Sequence, residues 1–424
     1  MRYPRTFFLP LVAIVAIVLV ACSPQKTPAP EQDASTAPAA RAQSAAPAGP
    51  RTFNVGELLK LKRVSDPQVS PDGTRVAFVV TEANEQANSR TNHIWTVGLD
   101  QGAPAPLLQL PKSEDTPRWS PDGKRLAFMS AREAGSQVWI VDVDAKGVAG
   151  TPRRLTDIAT EASGPKWSPD GKSIVFASDV YPECTTLDCN KQALAGHEKS
   201  TVKARVLDGL LFRHWTAWKD GRFSHLYLVP VDGSQPPRDL TPGKADVPPF
   251  SLGGPDDYAF SPDSRELAFV RKTDAVEAVS TNSDLFLLDL ADPQAQPRKI
   301  TTNPAADGGP SYSPDGRYIA YRAQSKPGFE SDRWQLMLLD RKSGESRPAA
   351  PMFDTWVDSY AWTPDSKGLV LTAELEGRSA MFLLDLAGGA PRLLPVTGSS
   401  GDVQFTRDGS TMVFTRSTAA EPVD

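Results

Sequence analysis

The side chains best suited to binding chemistry lie in one irregular stretch of the chain, about 179–224. It combines acidic, basic and aromatic residues that do not follow the repeat found elsewhere in the sequence. A carboxylate there could bind a free amino group through charge-assisted hydrogen bonds, which are stronger than neutral ones. Alternatively, the stretch forms a packed hairpin on the rim of the fold. The candidate binding residues are Glu183, Arg213, Trp215 and Trp218.

The same stretch contains Cys184 and Cys189. In an exported protein such a pair favours a disulfide. The alternative is a metal site, which needs further ligands at suitable spacing. None of the histidines lies at ligand spacing from both cysteines; they are His93, His197, His214 and His225. We therefore expect a disulfide, and we predict no metal and no cofactor.

A short cassette recurs along the chain and has its clearest form at 119–128. Its core, Ser-Pro-Asp-Gly, suits a type I turn because each residue type is favoured at its position there. The Asp could be a metal ligand, but turn formation explains its recurrence. Runs of Val, Ile, Phe and aromatic residues on both sides indicate strands. The other copies start at Val69, Trp167, Phe260, Tyr312, Trp362 and, in weaker form, Phe405.

Two further apolar runs follow each hairpin, so the repeating unit has four strands, as in a propeller blade. Blades bury their faces by stacking around a ring. The sequence predicts an all-β, seven-bladed β-propeller over 51–417, with six full blades, an incomplete seventh and a tail at 418–424. The interval from Pro169 to Pro262 is about twice the others. It could hide a blade without a cassette, but we expect an insertion at 179–224.

The first residues indicate export. Basic residues precede an apolar run that ends at Ala21, and Cys22 follows directly. This pattern resembles the bacterial lipoprotein cleavage box, which implies a signal peptide at 1–21 and lipid attachment to Cys22. The alternative is an ordinary signal peptide with a chance cysteine. Residues 22–50 are rich in Pro, Ala, Ser and Gln, a composition typical of a disordered tether.

Composition narrows the choice of partners. The 424 residues carry a net charge of -5 and contain no basic block, which argues against nucleic acid. Contact with a membrane is expected only through the lipid anchor. We expect a lipid-anchored protein of the cell envelope, on the outer membrane and facing the periplasm.

Two sequence segments outside the cassettes are also distinctive. One is 58–67, and the other is 203–222, which contains Arg213-His214-Trp215. With the cassettes between and after them, they resemble the propeller of the prolyl oligopeptidase family, in its bacterial dipeptidyl-peptidase and acylaminoacyl-peptidase branch. The resemblance runs from Phe53 to the end of the chain. It implies a peptide substrate, whose terminus Glu183 or Arg213 would contact.

In that family the propeller covers a C-terminal α/β-hydrolase domain with a Ser-Asp-His triad and admits only short or unfolded peptides. The nucleophile of such a domain lies on a Gly-x-Ser-x-Gly turn. Neither the segment 398–401 nor the segment 344–348 has that form between a strand and a helix. We therefore assign no catalytic residue and expect the hydrolase domain C-terminal to this chain. The chain alone is predicted to be an inactive part of a longer serine peptidase.

Two other functions stay open at this point. The chain could be a stand-alone binding propeller of the cell envelope, resembling the Tol-system propeller protein. That family has a small α/β domain before its propeller, whereas this sequence has a tether and one short helix. The chain could also be an enzyme with a site on the propeller itself, although no clustered acid-base pair in the sequence indicates one.

Overall fold

The computed structural model describes residues 53–423 except Gln101, Gln109, Ala134, Lys203 and Asp208. The predicted signal peptide, the lipidation site Cys22 and the tether lie outside the described residues. The chain divides after Phe53, and the unit considered below is Asn54–Asp424. Within the described part of the chain, no helix is long and apolar enough to span a membrane.

The described residues form six four-stranded antiparallel sheets, which we number as blades one to six in chain order. The all-β propeller prediction and its six complete blades are thus confirmed. A helix, α1 (Val55–Lys60), precedes the first blade. Blade one contains β1 (Arg63–Val69), β2 (Arg75–Asn84), β3 (Ser89–Gly98) and β4 (Ala105–Pro106). Blade two contains β5 (Glu114–Trp119), β6 (Arg125–Ser130), β7 (Gln137–Asp142) and β8 (Arg153–Arg154).

Blade three is interrupted between its second and third strands. It consists of β9 (Ser163–Trp167), β10 (Ser173–Val180), β13 (Phe223–Pro230) and β14 (Arg238–Asp239). The pairing of β10 with β13 is continuous from Ser173↔Pro230 to Val180↔Phe223. The intervening residues form α2 (Leu187–Lys199) and a small hairpin of β11 (Arg213–His214) and β12 (Ala217–Trp218).

The last three blades follow the regular order. Blade four contains β15 (Tyr258–Phe260), β16 (Glu266–Arg271), β17 (Asp284–Asp289) and β18 (Arg298–Lys299). Blade five contains β19 (Asp307–Tyr312), β20 (Tyr318–Ala323), β21 (Gln335–Asp340) and β22 (Ser346–Pro348). Blade six contains β23 (Val357–Trp362), β24 (Gly368–Leu375), β25 (Arg378–Asp385) and β26 (Arg392–Leu393).

A two-stranded hairpin of β27 (Ser399–Phe405) and β28 (Met412–Ser417) follows blade six. It contacts blade six on one side and β1 of blade one on the other. The Gln404 side chain joins it to blade one, because Nε2 donates to the Pro67 carbonyl at 2.6 Å and Oε1 accepts from the Val69 N–H at 3.0 Å. This glutamine lies where the ring closes.

The recurring turn is held by its own side chains. In the copy at 120–124, Ser120 Oγ donates to Asp122 Oδ1 at 2.5 Å and the Gly123 N–H donates to the Ser120 carbonyl at 2.8 Å. The Lys124 N–H also donates to Asp122 Oδ1, at 3.1 Å. The hydrogen bond from Ser120 is the main cause of the lowered pKa of Asp122. These bonds explain the Asp as a turn residue.

Antiparallel pairing gives the propeller two distinct faces. We call the side that carries the Ser-Pro-Asp turns the turn face. The opposite side carries the loops between second and third strands and the connections between blades, and we call it the loop face. The insertion of blade three leaves from the loop face, since it follows β10. The final strand β28 also ends there, because Ser417 pairs with Ser399 at the start of β27.

Aromatic residues at the ends of the inner strands connect neighbouring blades. The indole N–H of Trp119 donates to the Gln68 carbonyl at 3.1 Å, and that of Trp167 to the Arg118 carbonyl at 2.9 Å. Trp362 repeats this contact with the Ser311 carbonyl at 3.2 Å. Apolar residues complete these interfaces; for example, residues of β24 and β25 pack against residues of β20 and β21. Each blade therefore buries its faces against its neighbours.

Candidate functional site at the loop face

A cavity of about 390 Å³ opens at the base of the insertion, between blade three and the connection to blade four. Its volume falls within the range of small-molecule sites, which begins near ~300 Å³. Charged and aromatic groups share its wall. The lining includes Asp179, Trp218, Asp220, Arg222, Asp246 and Phe250.

Helix α2 is fixed to the end of β10 by local contacts. The Thr186 side chain caps it by accepting from the Cys189 N–H at 3.2 Å. The buried Asn190 accepts from the Tyr181 N–H at 2.8 Å. A disulfide joins Cys184 to Cys189 across the turn before the helix. These contacts hold the first part of the insertion against blade three.

The small hairpin places an aromatic residue at the cavity. Trp218 on β12 stacks on Phe212 with ring centroids 5.9 Å apart. The guanidinium carbons of Arg205 and Arg213 lie 4.4 and 5.3 Å from the centre of the Trp218 ring. These cation–π and stacking contacts help to hold the Trp218 ring, which is 40% exposed. Trp218 thereby forms a firm edge of the cavity.

An ion pair lies at the floor of the cavity. Lys219 Nζ donates to Asp246 Oδ1 at 2.6 Å and to the Arg222 carbonyl at 2.9 Å. Its ammonium group also lies 4.2 Å from the ring centre of Phe223. Asp246 is only 5% exposed in its side chain and accepts a second bond, from the Ser224 N–H at 2.9 Å. Burial raises the pKa of Asp246 even though Lys219 opposes this shift.

A second carboxylate comes from the loop between β16 and β17. Glu277 does not line the cavity itself, but the charges of Asp246 and Lys219 act on it. Burial raises the pKa of its carboxyl, and the charge of Lys272 on the same loop opposes this shift most strongly. Its Oε1 atom is buried and accepts no hydrogen bond from the part of the chain that the structure describes. A buried acceptor without a donor is costly. This oxygen is therefore suited to a cationic or N–H donor on a ligand.

The candidates from the sequence take different positions. Trp218 lines the cavity and Arg213 stacks on Trp218. Trp215 is 81% exposed and Glu183 is exposed in the turn before α2, and neither lines the cavity.

Sequence reasoning missed Lys219 and Asp246, which line the cavity, and Glu277, which lies near them. Lys219 lies within the stretch singled out for its charges and rings, so closer attention to that stretch could have found it. Asp246 is 27 positions further along the chain, and Glu277 belongs to another blade. No local pattern connects these two residues to the insertion.

The loop behind the cavity depends on a buried histidine. His225 Nδ1 lies 2.8 Å from Asp239 Oδ2, and Nε2 lies 2.8 Å from the Gly243 carbonyl. Because both neighbours are acceptors, the doubly protonated ring fits best. Burial lowers the pKa of His225, but the hydrogen bond and charge of Asp239 outweigh it, so the pKa is raised. The protonated ring therefore stabilises residues 239–246.

This histidine predicts a pH-dependent stability. Its contribution is fully present below the ordinary histidine pKa of 6.5 and is lost as the pH rises through the raised folded value. We expect the difference in Tm between the wild type and His225→Gln to shrink as the pH rises from about 5.5 to about 8.5. Thermal unfolding at intervals of pH measures it. A difference that grows towards alkaline pH would contradict the assignment.

No group of three or more His, Cys, Asp and Glu side chains among the described residues is arranged to hold a metal ion.

Large apolar side chains are exposed across the loop face. They come from the insertion, from the connections between blades and from the loops of blades four and five. In a single folded unit, concentrated exposed apolar surface marks an interaction site. The main examples are Val202, Val206, Leu210, Trp215, Leu252, Val276, Val279, Phe329 and Met352.

Comparisons with known proteins agree with the propeller fold and identify relatives of this chain. Residues 53–184 match the model of the TolB beta propeller domain family. Dipeptidyl-peptidase 5 of Porphyromonas gingivalis is 29% identical over 351 residues, which cover 79% of this chain and 48% of that protein. A second dipeptidyl-peptidase 5, from Porphyromonas endodontalis, is 28% identical over 380 residues, which cover 87% of this chain and 52% of that protein. The chain thus spans about half the length of these relatives.

A solved structure has the same fold over most of the chain. The acylaminoacyl peptidase of Pyrococcus horikoshii superposes with a TM-score of 0.61 at 17% identity, covering 87% of this chain and 51% of that one. At this identity the likeness concerns the fold alone.

Proposed function

Since the chain carries the propeller portion of the prolyl oligopeptidase family, we propose that it gates and orients short peptides for an exported serine peptidase. The observation that carries this proposal is the cavity at the loop face. Trp218, Lys219 and Asp246 line it. The buried carboxylate oxygen of Glu277, which accepts no hydrogen bond from the described residues, lies behind this lining, within reach of the charges of Lys219 and Asp246.

The loop face is the side on which a catalytic domain would sit. Its exposed apolar residues offer the kind of surface that a second domain covers. The last strand ends at this face, so a domain that continued from Ser417 would start on the same face as the insertion. The matched part of this chain covers about half the length of the relatives named as peptidases. An α/β-hydrolase domain in this position would enclose the cavity between the two parts.

The proposed ligand of the cavity is the free amino terminus of a peptide. Glu277 would accept hydrogen bonds from the ammonium group, while Trp218 would pack against the first side chains. The Lys219–Asp246 pair would hold the floor in place without giving up its own bonds. Recognition of the terminus by a carboxylate would set the position of the peptide relative to the nucleophile.

Further parts of the proposal concern the ends of the chain. We propose that the hairpin of β27 and β28 is an incomplete seventh blade. Residues 1–21 would be a signal peptide, Cys22 would carry lipid, and 22–50 would be a tether from the outer membrane into the periplasm. A disulfide between Cys184 and Cys189 is compatible with that oxidising compartment.

Peptide binding to the purified chain tests the proposed function. We expect the tripeptide Ala-Ala-Ala to bind about tenfold more tightly than its N-acetylated form, because acetylation removes the charge that Glu277 recognises. Glu277→Gln is expected to remove this preference. Isothermal titration calorimetry measures both effects.

Glu183→Gln is the matched control, because Glu183 is exposed outside the cavity. It is expected to retain the preference. Equal binding of both tripeptides by the wild type would contradict the proposed site. Release of dipeptides from chromogenic substrates by the chain alone, abolished by a serine-directed phosphonate, would contradict the proposed division of labour.

A further inference from the structure

A second cavity lies on the axis of the propeller, apart from the site at the loop face. It has a volume of about 320 Å³ and is walled by blades three to six and by the hairpin β27–β28. Charges of both signs line it. The charged residues are Lys166, Asp256, Arg322, Asp358 and Asp402.

Lys166 projects from the inner strand β9, and the positive charge of its ammonium group is poorly compensated. Its Nζ donates to the Tyr258 carbonyl at 2.8 Å and lies 5.0 Å from the centre of the Tyr258 ring. No described carboxylate forms an ion pair with it. Burial lowers the pKa of Lys166 to about 8, although Asp256 opposes this shift. A desolvated ammonium group of this kind gains from a bound anion.

Arg322 is the second cation and belongs to the same wall. It donates to the Asp358 carbonyl and lies 5.2 Å from the centre of the Trp334 ring. As for Lys166, no carboxylate in the described ranges pairs with it. By contrast, Arg118 on the neighbouring inner strand β5 is neutralised by both oxygens of Asp66, each at 2.8 Å. The axial cations are thus not all neutralised by the protein itself.

The segments beside the two cations are joined by one hydrogen bond. Tyr258, which accepts from Lys166, follows Asp257. Asp257 Oδ1 accepts from the Gly309 N–H at 3.2 Å, and Gly309 lies beside the Arg322 side chain. The cations therefore face one cavity rather than two.

Carboxylates supply the opposite charge. Asp256 and Asp358 are exposed to the cavity, and partial burial raises the pKa of Asp358. Asp402 accepts from the Thr415 hydroxyl at 3.0 Å through Oδ2. The cavity thus offers acceptors for an ammonium group near donors for a carboxylate.

We propose that the axial cavity binds a small zwitterion, a free amino acid or a dipeptide. The α-carboxylate of the ligand would lie between Lys166 and Arg322, and its ammonium group would lie against the carboxylates of the wall. A volume of about 320 Å³ accommodates such a ligand and excludes a folded chain. This binding goes beyond the proposed function, because its residues are separate from Glu277 and Trp218.

Calorimetry on the full chain with four forms of one dipeptide tests the proposal. The ligands are Ala-Ala, N-acetyl-Ala-Ala, Ala-Ala-amide and N-acetyl-Ala-Ala-amide, which differ in one or both terminal charges. We expect Ala-Ala to bind the axial site at least about tenfold more tightly than either form with one charge, and the uncharged form not to bind. The titrations are made on Glu277→Gln, which disables the loop-face site.

Variants of the cations locate the binding. In that background, Lys166→Met and Arg322→Gln are each expected to weaken Ala-Ala binding at least about tenfold. Arg347→Gln is the control, because Arg347 is exposed on the outer strand β22. Circular dichroism checks that each variant is folded. If Lys166→Met does not fold, the binding of Ala-Ala by Arg322→Gln alone tests the proposal.

Several outcomes would overturn the proposal. They are no binding of Ala-Ala at about 1 mM, equal binding of all four forms, or unchanged binding by a folded Arg322→Gln variant. Failure of the proposed function is distinguishable, because it appears as lost discrimination of Ala-Ala-Ala in the wild type and does not depend on Lys166.

Discussion

Replacing Asp246 with alanine is expected to lower the free energy of unfolding by about 3 kcal/mol, because it leaves the Lys219 ammonium group without its carboxylate. That group lies against the rings of Phe223 and Phe250, where water is largely excluded. The Ser224 N–H also loses its acceptor. Urea denaturation of the wild type and the variant measures the difference.

The same variant is expected to lose binding of Ala-Ala-Ala, since the floor of the cavity is no longer held in place. Burial raises the pKa of Asp246, so keeping the ionised carboxylate in this place carries a cost. The pair therefore fixes geometry more than it adds stability.

A double variant separates these roles. Lys219→Met with Asp246→Leu removes both charges and fills a similar volume. We expect its stability to lie within about 1 kcal/mol of the wild type, since replacing a whole buried pair is often neutral. It is expected not to recover peptide binding. Equal destabilisation by the single and the double variant would show that the ion pair is not the cause.

Replacing Trp362 with alanine is expected to cost about 3–5 kcal/mol, the range for large aromatic residues in a core. Trp362 is 8% exposed and packs between blades five and six. Its loss leaves a void in an interface that neighbouring strands cannot fill without moving. Chemical denaturation measures this loss.

Trp362→Phe separates the contribution of ring packing from that of the indole hydrogen bond. The ring still packs, but the hydrogen bond from the indole to the Ser311 carbonyl is lost, at an expected cost of about 1–2 kcal/mol. Trp215→Ala is the control, because Trp215 is 81% exposed, and we expect a change within about 0.5 kcal/mol. If Trp362→Phe were as damaging as Trp362→Ala, packing would not be the main contribution.

The sequence predicted the blades because the information that makes a blade is local. Ser120, Asp122 and Gly123 form their bonds within one turn, so the turn type can be deduced from adjacent residues. The spacing of these turns then predicts the strands on each side, and the long interval after Pro169 shows where the pattern is interrupted. These inferences require no knowledge of distant contacts.

The floor of the loop-face cavity could not be predicted in the same way. Lys219 meets Asp246 only after β13 and β14 have paired, and Glu277 approaches them only when blade four packs beside blade three. The axial cavity is similar, since Lys166 and Arg322 come together through the closure of the ring. Trp218 could be singled out because its position does not follow the repeat, not because its contacts were visible.

The hydrogen bonds of Gln404 join the hairpin β27–β28 to blade one at the closure of the ring, and this junction differs from those between full blades. The junction between blades one and two has ten buried residues in its apolar cluster. The cluster where blade one meets the hairpin has three, Val76, Phe78 and Val80, with Val413 of β28 packed against them. The two hydrogen bonds of the Gln404 side chain add to this smaller apolar contact. We therefore expect the ring to open first between the hairpin and blade one, which would admit from the side a ligand too wide for the axial cavity.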